Sequence, residues 1–173
     1  MKNFLIWIVG ISSVLILTVL VAGKTVNGDF VFESNITFDV NRILLWDIIN
    51  DVDAYKKNKY GIVSIEKKAY QGDTLISWRE NYNFGISKDY DVIRRKDPEI
   101  LILRVKNNFT GMVSVLNFEL SEDETKTYLK VREESTLDNV LYRGIKVLPG
   151  KDSYINAQIK WIRVGLYNYL INK

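Results

Sequence analysis

Between Ile62 and Thr136 the chain reads as six strands in succession, separated by turn residues and by nothing helical. The strands are expected at 62–70, 74–84, 88–95, 100–106, 111–120 and 128–136. Gln71-Gly72-Asp73, Gly85, Asp97-Pro98, Asn107-Asn108 and Ser121-Glu122-Asp123-Glu124 punctuate them. A parallel pair needs a crossover of about a dozen residues or more, so connections this short commit consecutive strands to antiparallel pairing.

The flanking segments complete the pattern. Residues 30–38 alternate, with Phe30, Phe32, Ser34, Ile36 and Phe38 on one face, and read as a further strand. Asp39 is expected to cap a helix over 42–55, where Leu45, Trp46, Ile49 and Val52 recur at helical spacing. Lys56, Lys57 and Lys59 close that helix and Gly61 breaks it. Residues 137–151 have no clear period and contain Gly144, Pro149 and Gly150, so they read as loop. Asp152 or Ser153 then caps a last helix reaching about Asn172, with Ile155, Ile159, Ile162, Leu166 and Tyr169 as its apolar stripe. Strand, helix, six strands and long helix make an α+β domain with helices on one face of an antiparallel sheet of about seven strands.

Ahead of this domain, twenty uncharged residues run from Phe4 to Gly23. At about 1.5 Å per residue such a helix covers about 30 Å, the thickness of a bilayer core. The expected organisation is therefore an N-terminal transmembrane helix over 1–23, a linker over 24–29 and the domain over 30–173. An uncleaved single-pass anchor is favoured over a signal peptide cut near Gly23, because the apolar run is long for a signal sequence. Lys2 ahead of the segment puts the N-terminus in the cytoplasm and the domain outside, whereas cleavage would leave a secreted domain.

Absences narrow the chemistry. With no cysteine and no histidine, disulfides, thiolates, imidazole bases and imidazole metal ligands are excluded. Glu122-Asp123-Glu124 lacks the spacing and the glycine of a calcium loop. A net charge of +3 is too small to imply a nucleic-acid partner. No cofactor, metal or nucleic acid is expected. Lys56-Lys57-Asn58-Lys59 and Arg94-Arg95-Lys96 read first as solvated surface and second as a seat for anionic lipid headgroups.

Several motifs point to one family. Phe32-Glu33-Ser34-Asn35-Ile36-Thr37-Phe38-Asp39 is followed by Leu45-Trp46-Asp47-Ile48-Ile49-Asn50-Asp51-Val52. With Ser77-Trp78-Arg79-Glu80 and Gly165-Leu166-Tyr167-Asn168-Tyr169-Leu170, the chain resembles the START-like superfamily, also called SRPBCC, over about residues 30–172. That superfamily includes polyketide cyclase/dehydrase-type proteins and the birch-pollen allergen. The chain departs from it at Asp39-Val40-Asn41, where Ala-Pro is common. The resemblance implies a helix-grip fold, a curved sheet around the C-terminal helix, with a cavity between them for a hydrophobic small molecule or lipid. Some members catalyse cyclisation, and fold alone does not choose.

Strand parity names the residues that would face such a cavity. Ile76, Trp78, Glu80 and Tyr82 share the more apolar face of their strand, and Glu133 shares the parity of Leu129 and Val131. Two carboxylates are thus expected to look inward, where desolvation raises a carboxyl pKa toward general acid or base work. The opposing reading leaves each in water at a strand end, or against Arg79, Arg104 or Arg132. No catalytic residue is assigned, Glu80 and Glu133 being candidates. The expected ligand contacts are Trp78, Glu80, Tyr82, Ile162 and Leu166. Three functions stay open: membrane-tethered binding of a hydrophobic molecule, a cyclase- or dehydrase-type enzyme using Glu80, Tyr82 or Glu133, and a scaffold whose cavity its own aromatics fill.

Overall fold

The computed structural model describes residues 2–124, 126–147 and 153–172. Seven strands are formed: β1 (Asp29–Phe38), β2 (Ile62–Gln71), β3 (Thr74–Tyr82), β4 (Ser87–Lys96), β5 (Ile100–Asn107), β6 (Val113–Asp123) and β7 (Lys126–Thr136). They make one antiparallel sheet in the order β1-β7-β6-β5-β4-β3-β2. From β2 to β7 every neighbour in sequence is a neighbour in the sheet, as the short turns require. Only the step from β1 to β2 crosses the sheet. It is made by α2 (Arg42–Asn50), a 3-10 turn (Val52–Ala54) and α3 (Tyr55–Asn58).

The helix expected over 42–55 is therefore broken, and Asp51 breaks it. Its side chain accepts from the Ala54 amide at 3.0 Å and starts the 3-10 turn. Asn41, rather than Asp39, caps α2, its Oδ1 accepting from Leu44 N at 2.8 Å. Asp152 lies outside the described residues, and α5 (Ser153–Ile171) forms the long last helix.

One apolar core fills the space between the sheet and these helices. Ile155, Ile159, Trp161 and Ile162 of α5 pack with Leu45 and Ile49 of α2 over Phe118, Leu129 and Val131 of the sheet. Gly165 brings α5 close. A Cβ there would lie 2.8 Å from Ile48 Cγ2 and 2.9 Å from Asn58 Nδ2, so a larger residue would lift the helix away. Asn168 Nδ2 donates to Asn58 Oδ1 at 3.0 Å and fixes α5 against α3.

Part of the stretch expected as loop is helical. Residues Val140–Val147 form α4, capped by Asn139, whose Oδ1 accepts from Leu141 N at 3.0 Å and Tyr142 N at 3.2 Å. Gly144 does not break it; it is a contact point. A Cβ on Gly144 would fall 1.9 Å from the Val19 carbonyl oxygen, and one on Gly23 would fall 1.9 Å from that of Val140. The two helices touch backbone to backbone, with Val19 buried between them. Pro149, Gly150 and Lys151 lie outside the described residues.

The N-terminal segment is α1 (Lys2–Thr25), one helix that ends two residues past Gly23. Among the described residues, no helix is long and apolar enough to cross a membrane. This overturns the single-pass location expected from the run between Phe4 and Gly23, and the placements outside the membrane or in secretion derived from it. The C-terminal end of α1 is instead engaged on α4 of the same chain.

Candidate functional site

The register of β3 on β4 sets Trp78 opposite Tyr90 and Glu80 opposite Lys88. Opposite residues of an antiparallel pair share a face, so these four project to the concave side with Tyr82. Trp78 and Tyr90 stack with ring centroids 5.0 Å apart and planes 2° from parallel. Glu80, beside them, has no exposed surface.

A carboxylate cannot be buried alone, and three side chains answer it, the Trp78 indole donating from Nε1 to Oε1 at 3.4 Å beside a lysine and a tyrosine. Lys59 lies just past α3 and turns inward, bringing Nζ to 2.7 Å from Glu80 Oε1. The same ammonium stands 3.6 Å from the Tyr55 ring centroid, 4.8 Å from that of Trp161 and 5.2 Å from that of Tyr90. Tyr82 donates its hydroxyl to the second oxygen, Glu80 Oε2. Tyr55 is oriented in turn by donating to the Ile49 carbonyl at 2.5 Å, and its ring packs 4.9 Å from Trp161. Aromatic faces and one carboxylate thus offset the cost of withdrawing an ammonium from water.

These contacts fix the charge states. Burial acts to raise the Glu80 carboxyl, but Lys59 and the Tyr82 hydroxyl outweigh it and hold the group below its ordinary value. Burial pulls the Lys59 ammonium down, and Glu80 restores part of the loss. Burial and the nearby Glu80 charge push the Tyr82 phenol far up, so it stays a neutral donor. The raised carboxyl pKa expected for an inward glutamate is not found at Glu80, because desolvation came with a counter-charge.

A cleft of about 710 Å³ opens beside this cluster, between the 56–61 turn, β3–β4 and α5. Lys59, Tyr82, Lys88, Tyr90, Trp161 and Val164 line it. Glu80 does not reach its surface; it holds Lys59 and Tyr82, which do. Of the expected contacts, Trp78 faces a smaller cavity of about 310 Å³ beneath α2. Ile162 is wholly inside the core, and Leu166 packs half-buried against it. The α5 side chains presented to the cleft include Trp161 and Val164.

Glu133 also faces the concave side, but it belongs to a separate cluster. Lys146 of α4 stands 3.5 Å from it and donates to Ser135, while Ser114 donates to Glu133 at 3.2 Å. The structure thus gives Glu80 and Glu133 a different lysine each. Of the arginines weighed as partners, Arg79 pairs with Asp89 and Arg132 with Glu33 and Glu134, and Arg104 pairs with neither carboxylate among the described residues. Lys59, Lys88, Tyr90 and Trp161 were not singled out by parity on one strand. Pairing the strand at 88–95 with the strand at 74–84 would have found Lys88 and Tyr90. The local signal at Lys59, a cation closing a helix within a basic cluster, points to solvated surface and not to the inward position it takes.

Comparison with family models and with curated proteins finds no match. Solved structures do match. A START superfamily protein from Mycobacterium smegmatis has a TM-score of 0.56 at 11% identity, over 69% of this chain and 89% of that one. A truncated norcoclaurine synthase from Thalictrum flavum has a TM-score of 0.60 at 8% identity, over 78% of this chain and 91% of its own. A protein from the dynemicin biosynthetic locus reaches 0.56 at 14% identity over 80% of this chain. The match takes in 47% of that protein, so this chain spans about half its length. The chain has the START-type fold, a helix-grip α+β domain on a seven-stranded antiparallel sheet.

Proposed function

We propose that this chain binds a hydrophobic small molecule in the cleft between the sheet and α5. The observation that carries the reading is the cleft itself. Its volume of about 710 Å³ falls within the range of small-molecule sites, and its wall joins aromatic rings to the ordered Lys59–Glu80–Tyr82 group. A scaffold with its cavity filled by its own aromatics would leave no such space. Membrane tethering forms no part of the reading. The fold is shared with the norcoclaurine synthase and with the protein from the dynemicin biosynthetic locus, which supports a biosynthetic intermediate as the occupant.

Native mass spectrometry of the full chain, purified from the cells that make it, tests this. A small-molecule adduct is expected, and Val164→Trp, which fills the cleft from α5, should remove it while leaving the circular dichroism unchanged. An adduct indifferent to Val164→Trp would place binding elsewhere and overturn the reading.

A second reading, an enzyme of cyclase type, is favoured by one observation. The Lys59 ammonium and the Tyr82 hydroxyl both line the cleft and are oriented by one buried carboxylate. Lys59, which gives Glu80 one of its three N–H donors, can deliver a hydrogen bond to a developing oxyanion, while the Tyr82 oxygen, its proton given to Glu80, can accept one from the ligand. Glu80 then acts as a positioning residue, because it does not touch the ligand. Conversion of the bound adduct, lost in Tyr82→Phe with binding retained, separates this reading from simple binding.

A further inference from the structure

The charge of the cleft names a class of ligand. Its lining contains Lys56, Lys57, Lys59, Lys88 and Lys160, and among the described residues no Asp or Glu. Glu80 balances Lys59 from behind the wall. Lys56, Lys57, Lys88 and Lys160 form no ion pair among the described residues. Elsewhere on the sheet many cations are matched, Lys67 to Asp53, Lys68 and Arg79 to Asp89, Arg95 to Asp97, while Arg94, Arg104, Lys106 and Lys126 form no ion pair among the described residues. What sets the cleft apart is the gathering of five lysines and no acid around one concavity, where walls low in dielectric concentrate a field on a ligand.

The apolar part of the wall is aromatic. Tyr82, Tyr90 and Trp161 supply it, against Ala157 and Val164 as small aliphatic contributions. Lys88 Nζ stands 5.1 Å from the Tyr82 ring centroid, so cation and ring are presented side by side. Flat faces favour a flat partner, and a long acyl chain would find little aliphatic surface here.

We propose that the cleft takes an aromatic acid, a planar apolar body carrying a carboxylate or comparable anion, with Lys88 and Lys160 meeting the anion and Tyr82 and Trp161 meeting the ring. This rests on the cleft being the binding site, and it adds the sign of the ligand's charge and the shape of its body. Fatty acids carry the same anionic chemistry, and a competitor separates the two sources.

The test uses the full chain and two fluorescent probes with one apolar body, 8-anilinonaphthalene-1-sulfonate and its neutral counterpart N-phenyl-1-naphthylamine. The sulfonate is expected to bind about tenfold tighter or better, the value of one charge-assisted contact. That advantage should shrink as salt is raised from about 0.05 to about 0.5 M, and vanish in Lys88→Gln/Lys160→Gln. Val164→Trp should abolish binding of both probes, and 1-naphthoate should displace the sulfonate at lower concentration than dodecanoate does. Equal affinity for the two probes, with both lost in Val164→Trp, would overturn the anion assignment and leave the binding site standing. Binding of both probes untouched by Val164→Trp would overturn the site itself. Stronger competition by dodecanoate would overturn the aromatic body in favour of an acyl chain.

Discussion

Lys59 Nζ lies 2.7 Å from Glu80 Oε1, where the carboxylate has no exposed surface and the lysine side chain keeps 11% of its own. The pair joins the turn after α3 to the last part of β3, and its ammonium lies by the rings of Tyr55 and Trp161. Removing one member of a buried pair leaves the other desolvated and uncompensated, which costs about 3–5 kcal/mol. Lys59→Met and Glu80→Gln should each destabilise the chain on that scale. The double variant should cost clearly less than the sum. A urea double-mutant cycle measures this, and strictly additive losses would show that the two groups are not coupled.

The opposite face of β3 predicts the response to acid. Arg79 donates from Nε and Nη2 to Asp89 at 2.8 and 3.0 Å, Asn108 donates at 2.7 Å, and Lys68 completes the set. The Arg79 fork holds the Asp89 carboxyl well below the usual range, against the opposing effect of its partial burial. A carboxyl with a depressed folded pKa binds protons less readily than it does in the unfolded chain. Its stabilisation is complete above the ordinary Asp value and is lost as pH falls through the depressed one. Glu80, also held low, acts with the same sign. Urea midpoints should therefore drop progressively below about pH 4, and Asp89→Asn should flatten the drop while lowering stability at neutral pH. An unchanged acid slope in Asp89→Asn would show that the network does not control it.

The backbone contact between α1 and α4 is open to a one-methyl test. A Cβ at Gly144 would stand 1.9 Å from the Val19 carbonyl oxygen, a group that cannot swing aside. Gly144→Ala is expected to separate the two helices, seen as faster amide exchange over residues 19–25 with the sheet still protected. At Gly10 a Cβ would meet nothing within 4 Å. Gly10→Ala should instead slow exchange in α1, since alanine is favoured over glycine in a helix by about 1 kcal/mol. Equal behaviour of the two variants would argue against the close contact.

Strand content and order were legible because alternation and turn residues are local signals, and the concave faces of β3 and β7 followed from parity at Trp78, Glu80, Leu129 and Val131. The partners of the inward carboxylates were not legible. Lys59 and Lys146 reach Glu80 and Glu133 from elements that only the folded chain brings near, and runs of lysine look like solvated surface. Gly144 was misleading for a related reason. Glycine in a sequence signals a break, while in the fold it allows another helix to approach, and nothing in the residues around it tells the two apart. The length and hydropathy of the run from Phe4 to Gly23 suggested a membrane, and hydropathy alone carries no information about the contact of Gly23 with α4.

The start of α2 shows the same lesson at a scale that one substitution resolves. Asp39 and Asn41 are both good capping residues, and sequence does not decide between them. The fold decides through Thr127 of β7, whose buried Oγ1 donates to the Val40 carbonyl at 2.7 Å. That bond holds the chain extended through residue 40, so the first helical turn begins after Asn41, whose backbone is extended at φ −70° and ψ 155°. Its Oδ1 then satisfies the Leu44 amide at 2.8 Å, while Asp39 remains exposed. Asn41→Ala should cost about 1 kcal/mol, and Asp39→Ala less than about 0.5 kcal/mol, both read from urea unfolding. Thr127→Val removes the restraint without changing the side chain's shape, and it should make the two alanine variants more alike. A larger loss at Asp39 than at Asn41 in the native chain would return the cap to the position expected from sequence.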